Sequence, residues 1–165
     1  MERISRYIVQ KGSKLAAVYC SDLCRAIRSA EIIAEPHSIN PIISPFLRER
    51  NFGIWEGLSF AEIEEKYPKE FEAWAGNPLK FSPMGGESTL KVRERVIEAL
   101  EEIIGNYKDE HIAIVAHGGV NRVILCHVMG IPLENIFRIE QDCSALNIIE
   151  FWDTYPIVKL INQTV

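Results

Sequence analysis

No apolar run in these 165 residues approaches the ~20 that a membrane-spanning helix needs. The first ten residues lack the apolar core of a signal peptide. No basic cluster offsets the net charge of −5, which argues against a nucleic-acid partner. Cysteine forms no framework: of Cys20, Cys24, Cys126 and Cys143, only the first two are close in sequence. One such pair without a second is weak evidence for metal, so all four read as reduced thiols in a cytoplasmic protein. The four histidines show no metal spacing either. No internal repeat and no low-complexity segment divides the chain, and its length suits a single domain, 1–165. These absences leave a compact cytoplasmic protein, expected to need neither metal nor organic cofactor.

What is present centres on residues 112–125, IAIVAHGGVNRVIL. Five apolar residues rich in β-branched types have the composition of a strand buried on both faces. The run breaks at His117-Gly118-Gly119. Val120, Val123, Ile124, His127 and Val128 then recur at helical spacing. A strand, a glycine turn and a helix in that order place His117 at the strand's carboxyl end. The backbone N–H groups opening the helix suit an anion, above all phosphate. Two glycines let a ligand approach closely. An ordinary βα turn with an incidental histidine fits these residues equally well.

In chain order, Ile4, Tyr7 and Ile8 share a helical face, with Gly12 a plausible stop and no cap in front. Residues 15–19 read as a buried strand. Ser21-Asp22 suits a cap for a second helix, with Leu23, Ile27, Ala30 and Ile33 inward and Pro36 at its end. Arg25 falls in the first turn of that helix, where the macrodipole disfavours a cation by a few tenths of a kcal/mol. A functional role or a merely solvated arginine explains it. Residues 41–44 suggest a short strand. From 46 to 86 the strand–helix rhythm gives way to glycines and most of the aromatics. Ser59 and Glu62 predict a capping box, and Pro68 the start of another short helix. This segment reads as a lid over the sheet edge where ligands bind. Glu49, between Arg48 and Arg50, is a buried acid or a surface ion pair. A clear amphipathic helix over 87–104, stopped by Gly105, leads to the central strand. Strands at 146–152 and 157–161 are separated by a 153–156 turn, which suggests a hairpin.

Four blocks together resemble the histidine phosphatase superfamily, the phosphoglycerate mutase-like fold. They are VYCSDLCRA at 18–26, LRERNFGIWEGLSFAEIEEKYP at 47–68, GGES at 85–88 and VAHGGVNRVIL at 115–125. The short lid is similar to that of broad phosphatases of the family and of α-ribazole phosphatase. The resemblance implies a three-layer α/β/α sandwich with a largely parallel sheet, and phosphomonoester hydrolysis through a phosphohistidine. It implies that Arg25 clamps phosphate oxygens, together with the Gly118 turn, that Glu49 protonates the leaving alcohol, and that His117 donates to the phosphoryl group. The expected partner is a small phosphorylated metabolite, with lid aromatics such as Phe52, Trp55 and Trp74 setting specificity.

The family's first strand ends in Arg-His-Gly and carries the nucleophile. This chain has no Arg-His-Gly, and Met1 aligns inside the helix that follows that strand. A shortened phosphatase is the favoured expectation. A catalytically silent phosphate-binding module is the alternative, and a phosphoglycerate mutase a weaker one. The absent strand belongs beside the 112–116 strand, so a rearrangement, strand exchange or homodimer is expected to cover that edge.

Overall fold

The computed structural model describes residues 1–153 and 155–164. Three strands form a parallel sheet in the order β2-β1-β3: β1 (Leu15–Cys20), β2 (Ile42–Ile43) and β3 (His111–Val115). Register pairs Leu15 with His111 and Cys20 with Val115 along β1 and β3. The last strands, β4 (Leu146–Trp152) and β5 (Tyr155–Gln163), pair antiparallel as the predicted hairpin. Thr154, inside the expected 153–156 turn, lies outside the described residues.

Helices cover both faces, as predicted. On one, Ile4 of α1 (Glu2–Gln10) and Ala26, Ala30 and Ile33 of α2 (Cys24–Ala34) pack on Leu15, Val18 and Cys20 of β1. The lid helices α3 (Phe60–Lys66) and α4 (Pro68–Gly76) follow, and the Ser59–Glu62 capping box is present. On the other face, Val92, Val96 and Leu100 of α5 (Thr89–Asn106) meet Val120, Val123 and Ile124 of α6 (Gly118–Met129). Gly105 does not stop α5. The helix begins after Ser88, whose hydroxyl accepts from the Lys91 N–H, and runs through Asn106.

The central strand departs from expectation. Residues 112–115 are half-buried, not enclosed on both faces. The two sheets share both helical layers: Ala113, Val115 and Leu146 pack on the α1/α2 side, Ile114 and Ile149 on the α5/α6 side. Yet no backbone ladder joins β3 to β4 among the described residues. Among the described residues the outer edge of β3 has no strand partner, and its apolar side chains lose the cover a neighbouring strand would give.

Candidate active site

Because β1 and β3 are parallel, the segments that follow them emerge at one edge of the sheet. Arg25 is the second residue of α2 and is exposed. His117 is the N-cap residue of α6, buried to 8% exposure, and Gly118 and Gly119 form the first turn. Ser21 does not cap α2. Leu23 holds that position in an extended conformation, so the cap falls just after the expected Ser21-Asp22 and the helix starts at Cys24. Ser21 is instead completely buried, and its Oγ lies 2.7 Å from His117 Nε2. The Ser21 N–H donates to the Val115 carbonyl at 3.3 Å, tying the end of β1 to the end of β3.

Glu49 reaches the same place from the lid. Its Oε2 accepts from the Gly119 N–H at 3.0 Å, and its Oε1 accepts from the Arg50 N–H at 2.9 Å. Its neighbours turn elsewhere. Arg48 makes a bidentate pair with Asp22, and Arg50 donates to the Glu87 and Phe81 carbonyls and to Thr89 Oγ1. Of the two readings of Glu49, the surface ion pair is the one the geometry does not show. The close approach that the glycines allow is therefore made by this carboxylate: a Cβ added at Gly119 would overlap it. A Cβ at Gly118 would meet only the tip of Arg122, at 3.2 Å.

The charges around His117 act in both directions. Burial, first, holds its imidazolium below the ordinary histidine range; Arg25 and Arg95 act the same way, and Glu49 and Asp22 oppose them. The imidazole is therefore neutral near pH 7. Asp22 titrates below its usual range because Arg48 donates to it.

Two residues that the sequence reading left without a role hold Glu49 in place. Arg95 Nε and Nη2 donate to the Glu87 carboxylate at 2.9 and 3.0 Å, while Nη1 and Nη2 reach the Phe46 and Glu49 carbonyls at 2.6 and 3.4 Å. Glu87 also accepts from the Asn51 N–H at 3.0 Å. Burial works against the Glu87 charge, but these bonds and the charges of Arg95 and Arg50 outweigh it and keep its titration low. Among the lid aromatics, Trp55 is not available for specificity. It is buried and stacked on Phe81 at 5.1 Å, forming the lid's own core. Trp74 lines an apolar cavity of about 340 Å³ with Phe60, Leu79, Leu133, Ile136 and Phe137. Phe52 lies under the Arg50 guanidinium.

No second histidine shares the edge among the described residues. His37 accepts from the Leu15 N–H at the amino end of β1, His111 starts β3, and His127 sits in the last turn of α6.

Comparison with known proteins places the chain as a whole. The profile of the histidine phosphatase superfamily (branch 1) matches residues 4–164. The chain belongs to this superfamily. The family acts on phosphorylated substrates. Phosphoserine phosphatase 1 of Hydrogenobacter thermophilus is 29% identical over 150 residues, covering 91% of this chain and 71% of that protein. A bifunctional protein of Mycobacterium tuberculosis is 32% identical over 159 residues, covering 96% of this chain. The chain spans only 43% of that relative's length. The solved structure of YhfR from Bacillus stearothermophilus superposes with a TM-score of 0.86 at 27% identity, covering 99% of this chain and 81% of that one. The α/β architecture with its parallel sheet is thus the family's, as the four sequence blocks implied. Among the described residues no helix is long and apolar enough to cross a membrane.

Proposed function

We propose that this edge of the sheet is the phosphate pocket of a histidine-type phosphomonoesterase. Arg25 clamps phosphoryl oxygens, and His117 with the Gly118 turn donates hydrogen bonds to them. Glu49 delivers a proton to the leaving alcohol. The observation that carries this reading is the meeting of Glu49 and His117 at the first turn of α6, with Arg25 near enough to depress the His117 titration. Transfer of a phosphoryl group spreads negative charge over three oxygens, and fixed donors and cations stabilise it. An alkoxide leaves poorly unless an acid protonates it. Neither task calls for a metal. The substrate is a small phosphorylated metabolite, with α-ribazole phosphate one instance that the short lid suggests.

A second reading, phosphate binding without turnover, draws on His117 being the one histidine at this edge among the described residues. In the family resemblance the attacking histidine ends a strand beside β3, and the outer edge of β3 has no backbone partner among the described residues. Titration with inorganic phosphate and hydrolysis of p-nitrophenyl phosphate in excess chelator, with and without vanadate, separate the readings. Both require saturable phosphate binding, weakened by at least about 10-fold in Arg25→Ala and His117→Ala, the scale of one charge-assisted bond. Vanadate-sensitive turnover selects the enzyme, and binding without product selects the module. Absence of phosphate binding, or activity abolished by chelation, refutes both.

A further inference from the structure

Ser21 belongs to no role assigned so far, yet it is fully buried and makes one of the shortest polar contacts at the site. A hydroxyl has one proton to donate and can accept twice. The Leu23 N–H approaches Ser21 Oγ at 3.4 Å and uses one acceptor position. His117 Nε2 at 2.7 Å is the remaining partner among the described residues. If Nε2 carried the imidazole proton, Oγ would accept from both sides. Its own buried proton would then have nowhere to go, a cost on the order of 1–3 kcal/mol. If the hydroxyl donates to Nε2, both the hydroxyl and Nε2 are satisfied, and the neutral imidazole carries its proton on Nδ1. His117 Nδ1 has no hydrogen-bond partner among the described residues, so its N–H is left for a ligand. Burial already favours the neutral ring this arrangement needs.

We propose that Ser21 is a positioning residue that donates to His117 Nε2, fixes the imidazole proton on Nδ1, and makes Nδ1–H the donor to a phosphoryl oxygen. Its second half rests on the phosphate-pocket reading; the tautomer itself does not. The link is also a pH device. Protonating His117 would turn Nε2 into a donor aimed at a hydroxyl that is itself donating, so Ser21 opposes the imidazolium. The charges facing the ring are Arg25 from α2, Asp22 from the β1–α2 connection, Glu49 from the lid and Arg95 from α5.

The test is nitrogen NMR on ¹⁵N-histidine-labelled protein near neutral pH, before any ligand is added. The expected wild-type spectrum has a protonated Nδ1 and a bare Nε2 for His117. In Ser21→Ala the proton should redistribute toward Nε2, and the His117 pKa should rise by about 0.4–1 unit, the loss of one hydrogen bond to the neutral form. Ser21→Thr retains a hydroxyl and should restore the Nδ1–H form. Inorganic phosphate should bind about 3–10-fold more weakly to Ser21→Ala than to wild type. A wild-type His117 protonated on Nε2 overturns the proposal without reference to any variant. So does a Ser21→Ala spectrum and pKa identical to wild type. If the tautomer is as stated and wild type binds no phosphate, the role of Ser21 stands and the phosphate-pocket reading falls.

Discussion

Gly119 offers the sharpest test of where Glu49 sits. Its backbone is not in the left-handed region, so alanine is conformationally acceptable there. In a helix, alanine is favoured over glycine by up to about 1 kcal/mol. Against this, the three atoms nearest an added Cβ all belong to the Glu49 carboxyl group, the second of them at 3.1 Å. A flexible side-chain tip can swing aside, so the fold survives, but the bond from the Gly119 N–H to Glu49 Oε2 does not. A hydrogen bond to a charged group contributes about 1.5–3 kcal/mol. Gly119→Ala should therefore destabilise the wild type by about 0.5–2 kcal/mol. In a Glu49→Ala background no carboxylate occupies that space, and the same substitution should stabilise by up to about 1 kcal/mol. Urea unfolding of the four proteins gives the coupling energy, expected at about 1.5–3 kcal/mol. An effect of the same sign and size in both backgrounds would refute the placement of Glu49 against the α6 first turn.

Two further outcomes follow from the same geometry. Arg95→Met removes the pair with Glu87 and the bonds to the Phe46 and Glu49 carbonyls, so it should cost about 2–3 kcal/mol and speed amide exchange across 46–53; a loss below about 0.5 kcal/mol would show that the pair does not fasten the lid. The third concerns pH. The His117 pKa is depressed in the folded state, so the unfolded chain takes up a proton near pH 6.5 and the folded chain only at lower pH. Unfolding free energy should thus be insensitive to this group above about pH 7, and fall as pH drops below 6.5 toward the depressed value. The His117→Gln variant should lack that slope, and equal slopes in variant and wild type would remove the buried neutral histidine.

The layered fold was legible because its signals are local. Apolar periodicity located α5 and α6, and short apolar runs located β1 and β3. Ser59 and Glu62, three residues apart, announced their own capping box. Errors arose where a local rule competed with a distant contact. Ser21 has the chemistry of a helix cap, but a histidine 96 residues away takes its hydroxyl. The run at 112–116 has the composition of an enclosed strand. Enclosure depends on whether a neighbour pairs with its edge, which composition cannot report. Trp55 looked like a specificity residue because it lies in a lid, where exposure is the default; its stacking on Phe81 depends on how that lid folds back on itself.

The site divides along the same line, and the division has a physical meaning. Arg25, Glu49 and His117 are singled out through the family resemblance; by residue type alone each also fits an ordinary structural role. The residues that hold them are a serine, an ion pair and a glycine, types with many uses. Glu87 and Arg95 meet eight residues apart, across the N-terminus of α5, and Glu49 reaches Gly119 across 70 residues. Such contacts fix geometry without supplying reactivity, so no residue type marks them in a single sequence. They are nonetheless what sets the protonation of His117 and the position of Glu49. A substitution that keeps all three recognisable residues but alters Ser21 or Gly119 should therefore leave the family pattern intact and the pocket changed.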